Sequence, residues 1–223
     1  KEMNQSKVTF FSVLAHDLKS PFNSIIGFSE VLRDEYDEID EDEVFEIGDL
    51  INSTARETYN LLLNLLEWSR SEAGIIKFSP EVFKVNEILE DVVKHNKTSL
   101  ESKGLNVLME IPKGFKILAD KHMTAVIFQN LLTNAIKYSE PNSQIIFSGW
   151  YKDNFSVLNV TDFGTGMPKE KLDTLFDFNK TFSQDGTKKE KGSGLGLILC
   201  KQFTEKNNGD LSIKSKIGQG TTI

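Results

Sequence analysis

Apolar positions recur by threes and fours along the first 73 residues. In one segment Phe11, Leu14, Leu18, Ile25, Phe28 and Leu32 follow this spacing, with Pro21 in the slot between Leu18 and Ile25. In a second, Val44, Ile47, Ile51, Thr54, Thr58, Leu61, Leu65 and Trp68 follow it without a gap. Each is a heptad seam, and together they predict a helical hairpin of coiled-coil character. The acidic run DEYDEIDEDE, residues 34–43, separates them and reads as a solvated turn. Leu50, Leu62 and Leu66 widen the second stripe beyond what one partner helix covers. A homodimer, pairing two hairpins into a four-helix bundle, is the economical way to cover it.

After Gly74 the periodicity changes to a mixture of strands and helices. Strands are predicted at Ile75–Phe78, Leu105–Ile111, Phe115–Leu118, Gln144–Tyr151, Phe155–Asp162, Asp210–Lys214 and Thr221–Ile223. Helices are predicted at Val85–Ser102, Lys121–Tyr138 and Leu195–Asn207, with a short one at Lys169–Phe176. The expected fold is therefore an all-α domain, 1–73, followed by an α+β sandwich domain, 74–223, with one sheet and its helices on one face. The stretch from Phe163 to Lys191 is too long for a plain connection, and Phe176, Phe178 and Phe182 make it too apolar for a linker, so it reads as a lid.

Composition narrows the field. A net charge of −7 argues against a nucleic-acid partner, whose phosphates call for basic surface. One cysteine, Cys200, excludes an intrachain disulfide and a cysteine-rich zinc site, and its apolar run LGLILCKQF makes it a structural thiol. His95 and His122 sit in charged or polar helical settings and read as surface residues, and Trp68 and Trp150 as packing residues. No apolar run approaches the ~18 residues of a membrane span. The chain does not begin with methionine, and is expected to be a soluble, cytoplasmic piece of a longer protein, with any membrane contact made by upstream segments.

His16 lies between Leu14 and Leu18, at the heptad position farthest from the seam, where a histidine without a role is the plain reading. Two neighbours alter that. Asp17 is a carboxylate able to hold one imidazole nitrogen and raise the nucleophilicity of the other. Pro21 interrupts a good helix at a cost of about 3 kcal/mol, removing the bond to the carbonyl of Asp17. The segment HDLKSPFNSIIGFSE, from His16 to Glu30, resembles the H-box of the histidine kinase dimerisation and phosphotransfer domain. The resemblance implies that His16 accepts a γ-phosphoryl group with Asp17 as general base. Ser20 stands where family members usually carry threonine or asparagine for phosphatase activity.

Four further segments bear on the donor. In QNLLTNAIKYS, Asn130 and Asn134 lie one helical turn apart beside Lys137 and Tyr138. Packing hydrogen bonds would explain the pair, and so would an oxygen ligand for Mg²⁺. In DFGTGM, Asp162 ends a strand, and Gly164 and Gly166 follow it. In GSGLGLILCK, Gly192, Gly194 and Gly196 lead into a helix whose start favours an anion, or else serve as a hinge. The fourth, LFDFNKTF, carries Phe176. In this order they resemble the N, G1, F and G2 boxes of the ATP-binding domain shared by histidine kinases and the wider GHKL ATPases, and GQGTT resembles the last glycine box.

That resemblance implies ATP and Mg²⁺, with Asn134 on the metal, Asn130, Lys137 and Tyr138 near phosphates or ribose, and Asp162 reading adenine. Gly164, Gly166, Phe176, Gly192, Ser193, Gly194, Leu195 and Gly196 would shape the pocket and lid. The implied enzyme is an autophosphorylating protein histidine kinase whose acceptor is an aspartate of a response regulator or receiver domain. Gly74 and its neighbours are the expected hinge. A GHKL ATPase without phosphohistidine and a nucleotide-binding signalling module are the rival readings.

Overall fold

The structure, a computed structural model, describes residues 2–172, 174–176 and 195–223, with the backbone alone described for 2–17. The chain divides into two compact units, Lys1–Ala73 and Gly74–Ile223. Among the described residues no helix is long and apolar enough to cross a membrane.

The first unit is a hairpin of α1 (Glu2–Asp34) and α2 (Glu41–Glu72). Burial along α2 follows the heptad seam. Val44, Ile47, Ile51, Thr54 and Leu65 are half-buried, and Thr58, Leu61 and Trp68 are buried. On α1, Leu18, Pro21, Ile25, Phe28 and Leu32 are half-buried, so the proline occupies a seam position inside a continuous helix. The acidic run is not all turn. Asp34 ends α1, Asp40 caps α2, and Glu41, Asp42 and Glu43 form its first turn. The carboxylate of Asp40 accepts from Glu43 N at 2.8 Å, and Glu43 reaches back to Asp40 N at 3.4 Å. Acids at this end complement exposed N–H groups and the helix dipole, which explains why they were recruited into the helix.

The second unit is built on a five-stranded mixed sheet in the order β2-β4-β5-β7-β6. Its strands are β2 (Asn106–Glu110), β4 (Gln144–Lys152), β5 (Phe155–Asp162), β6 (Lys214–Lys216) and β7 (Gly220–Thr222). Among the described residues β2 and β4 run parallel and the other pairs are antiparallel. A separate two-stranded sheet pairs β1 (Pro80–Lys84) with β3 (Lys116–Asp120). Helices α3 (Val85–His95) and α7 (Leu195–Lys206) both pack against α5 (Lys121–Tyr138), which also packs on β5. Ile145 and Phe147 of β4, both at 0% exposure, meet Phe128, Leu131 and Leu132 of α5 in the core. Phe128 and Phe147 meet edge to face, centroids 6.1 Å apart. Cys200 lies in the same core at 0% exposure, and burial pushes its thiol up.

Five sequence expectations shift. The strand placed at Ile75–Phe78 is loop, and pairing begins at Pro80, whose missing N–H is tolerated at a strand start. The helix placed at Val85–Ser102 is two, α3 and α4 (Lys97–Ser102), parted at Asn96. There the buried carboxamide of Asn96 donates to Val92 O at 2.8 Å and to Gln129 Oε1 at 3.0 Å. Side-chain bonds to the backbone compete with helix continuation. The strand placed at Asp210–Lys214 begins only at Lys214. The short helix α6 is confined to Lys169–Leu172, and Trp150 is 42% exposed rather than packed. Asp40→Ala is expected to destabilise the protein by about 1 kcal/mol, measured as a lowered thermal midpoint with helix content unchanged in the cold.

Candidate functional site

Asp162 is the last residue of β5, and strand alternation decides where it points. Val160 is buried two residues earlier, and Asp162 stands in register with the fully buried Ile145. The carboxylate is thus carried to the buried side of the sheet, where the residue is 8% exposed. One oxygen accepts from Gly164 N at 3.0 Å and Thr221 N at 3.2 Å. Burial nevertheless dominates and pushes the carboxyl from 3.8 up to about 6, the two amide bonds lowering it. A buried, raised acid at a strand end beside glycine backbone is a candidate for a binding role.

The bare backbone is built by glycines. A Cβ on Gly164 would collide with the carbonyl of Tyr138, and one on Gly166, at φ +63°, with the carbonyl of Lys216. Thr165 between them donates to Tyr138 O at 3.1 Å and accepts from Gly218 N at 2.8 Å. The loop after β5 therefore lies flush between the end of α5 and the β6–β7 hairpin. Ser139, fully buried, bridges to Gly164.

Helix α5 starts under Asp120, whose carboxylate accepts from Met123 N at 2.9 Å. Asn130 is buried, donates to Val126 O at 2.9 Å, and would lie 2.5 Å from a Cβ on Gly196. It thereby sets the close approach of α5 and α7. Asn134, one turn on, is half-buried, as are Lys137 and Tyr138; the Lys137 ammonium lies 5.4 Å from the Tyr138 ring centre. Leu195 is buried at the start of α7. Phe176 is half-buried, with the Lys201 ammonium 5.0 Å from its ring centre. Gly192, Ser193 and Gly194, and most of the stretch read as a lid, including Phe178 and Phe182, lie outside the described residues.

His16 and Asp17 lie on α1, one turn before Pro21. Ser20 is half-buried, its carbonyl accepting from the Ser24 hydroxyl at 3.3 Å. His95 and His122 are exposed, as their charged contexts suggest. The structure thus brings together Asp162, Gly164, Gly166 and the end of α5 at Tyr138, and packs Asn130 on Gly196. Thr221, Ser139 and Lys103 contribute bonds here that sequence did not single out. Only Thr221 had a signal, the GQGTT segment.

Two family models match the chain. The model of the His Kinase A (phospho-acceptor) domain matches residues 6–74, and that of the histidine kinase-, DNA gyrase B-, and HSP90-like ATPase matches residues 119–223. The chain belongs to the histidine kinase family. A sensor-like histidine kinase of Rhizobium meliloti is 31% identical over 99% of the chain and 42% of its own length. The histidine protein kinase DivJ of Caulobacter vibrioides is 26% identical over 97% of the chain and 36% of its own. The chain spans less than half the length of these curated relatives.

Solved histidine kinases share the fold. AdeS of Acinetobacter baumannii superposes with a TM-score of 0.69 at 19% identity, covering 93% of this chain and 94% of that one. ThkA, solved in complex with the response regulator protein TrrA, gives 0.73 at 18% identity over 99% of this chain and 61% of that one. The ATP-binding class of the second unit rests on the ATPase family model, which matches residues 119–223 of this histidine kinase chain.

The raised carboxyl of Asp162 carries a sign. Its folded value lies above the ordinary 3.8, so the folded state takes up a proton that the unfolded chain releases. Stability without ligand therefore rises as pH falls through about 6 towards 3.8, and the buried charge weakens the fold above that window. Asp162→Asn keeps an oxygen for the two amides and is expected to gain on wild type by about 3 kcal/mol at pH 8, the gap closing near pH 4. Denaturant melts at the two pH values measure it.

Proposed function

We propose that this chain is the catalytic core of a two-component sensor kinase that uses ATP to phosphorylate His16 and passes the phosphoryl group to an aspartate of a response regulator. Residues 1–73 act as the dimerisation and phosphotransfer domain and 74–223 as the ATP-binding domain, with Gly74 the hinge. The observation that carries the reading is the buried carboxylate of Asp162 beside the glycine-lined loop. An acceptor of this kind suits an adenine amino group, and bare backbone lets the ring approach closely.

The residues present fit ATP and Mg²⁺. Asp162 takes the adenine, and Gly164 and Gly166 leave the ring its space. The half-buried Asn134 offers a carboxamide oxygen to the metal, and Lys137 and Tyr138 serve phosphate or ribose. Phe176, Leu195 and Gly196 would form the pocket wall; Gly192, Ser193 and Gly194 lie outside the described residues, and their assignment to the lid rests on the resemblance of their segment alone. Bound Mg²⁺ would supply neutralisation of phosphate charge. In the transfer, a ring nitrogen of His16 attacks the γ-phosphorus, the bond to the β-phosphate oxygen breaks, and ADP leaves. Asp17 accepts the proton from the other ring nitrogen. The complex of ThkA with a response regulator supports a partner of that class here. A phosphatase role is not assigned to Ser20, which departs from the usual threonine or asparagine.

Incubation with γ-labelled ATP and Mg²⁺ tests the reading. Acid-labile, alkali-stable label is expected on the wild type and is expected to be lost in His16→Ala and Asn134→Ala. Label persisting in the His16 variant overturns the assignment, and hydrolysis without labelled protein favours a GHKL ATPase.

The hairpin also calls for a second copy. Leu50, Leu62 and Leu66 remain 45%, 41% and 44% exposed on α2, with Phe22 and Ile26 each 53% exposed on α1. Apolar rows of this length beside a filled seam suit a symmetric four-helix bundle. Light scattering after size exclusion is expected to show a dimer, and Leu62→Lys with Leu66→Lys to yield monomers.

A further inference from the structure

The last carbonyls of a helix have no partner within it and carry the negative end of its dipole. In α5 each of the last four is assigned. Ala135 O accepts from Ser139 N at 3.0 Å, and Tyr138 O from Thr165 N at 3.1 Å. The two between them are taken by one side chain. Lys103 Nζ donates to Ile136 O at 2.8 Å and to Lys137 O at 2.7 Å. Lys103 is 4% exposed, a degree of burial that lysine avoids unless its ammonium is well bonded. Its own carbonyl accepts from Asn142 N at 2.9 Å, so it grips both ends of the turn that leads from α5 to β4.

The residues gripped in this way are those assigned to the nucleotide. Lys137 and Tyr138 end the helix, and the carbonyl of Tyr138 registers the loop of Gly164 and Gly166 through Thr165. We propose that Lys103 is a positioning residue of the ATP site, holding the end of α5 at the carbonyls next to the one that takes the glycine loop, so that both lie in register for the nucleotide. It touches no ligand. Its ammonium supplies donors and positive charge at a helix end where a neutral, apolar side chain would leave two buried carbonyls unbonded.

This inference rests on the ATP site proposed above. The test is the dissociation constant for ATP and for ADP, measured calorimetrically on wild type and Lys103→Met at a temperature where circular dichroism shows both folded. Both nucleotides are expected to bind the variant about tenfold more weakly, since register loss affects the adenine end they share. A lower thermal midpoint with unchanged constants would mean a purely structural lysine and would overturn the proposal. If the wild type binds neither nucleotide, the ATP site itself falls. Should Lys103→Met fail to fold, the wild type decides: the side-chain resonances of Lys103 shift on adding ATP if the proposal holds, and their constancy overturns it.

Discussion

The second unit depends on keeping one carboxylate in an apolar layer. Strand alternation carries Asp162 to the face that buries Val160 and pairs with Ile145, and there the charge loses most of its water. Two backbone amides, from Gly164 and Thr221, compensate only in part, as its raised proton affinity records. Those amides come from segments about sixty residues apart. The acid therefore ties β5, the loop that follows it and β7 into one corner, where no side chain other than glycine fits at Gly164, Gly166 or Gly220.

Helix α5 faces that corner with its C-terminal end and the core with its side. Phe128, Leu131 and Leu132 fill the layer over the sheet, while Asn130 sets the approach to α7 by leaving room only for Gly196. The two asparagines that share a face thus have different settings. Asn130 is a buried packing contact and Asn134 is half-buried one turn away. Of the two readings that sequence left open for the pair, packing describes Asn130, and ligand contact is what is proposed for Asn134.

The hairpin was legible because one period governs it. Heptad positions on α2 match burial residue by residue from Val44 to Trp68, and local geometry alone dictates which side a helical residue takes. Likewise α5 runs over the predicted residues, since an Asp120 cap and an apolar face are local signals. Boundaries failed where long-range bonds intervened. Asn96 breaks a helix through a bond to Gln129, thirty-three residues on, and β1 forms because β3 offers a partner beyond the proline.

By itself the sequence determined the two periodicities, the change of architecture at Gly74, and the residue types able to carry phosphate and adenine chemistry. Tertiary structure alone decided which backbone groups meet them. Lys103 stands ahead of a glycine in no motif that the sequence singles out, and only the packing of the Lys103 turn against the end of α5 places its ammonium on Ile136 O and Lys137 O. A carbonyl looks the same in every residue, so no pattern of side chains announces where an orphaned one will need a donor.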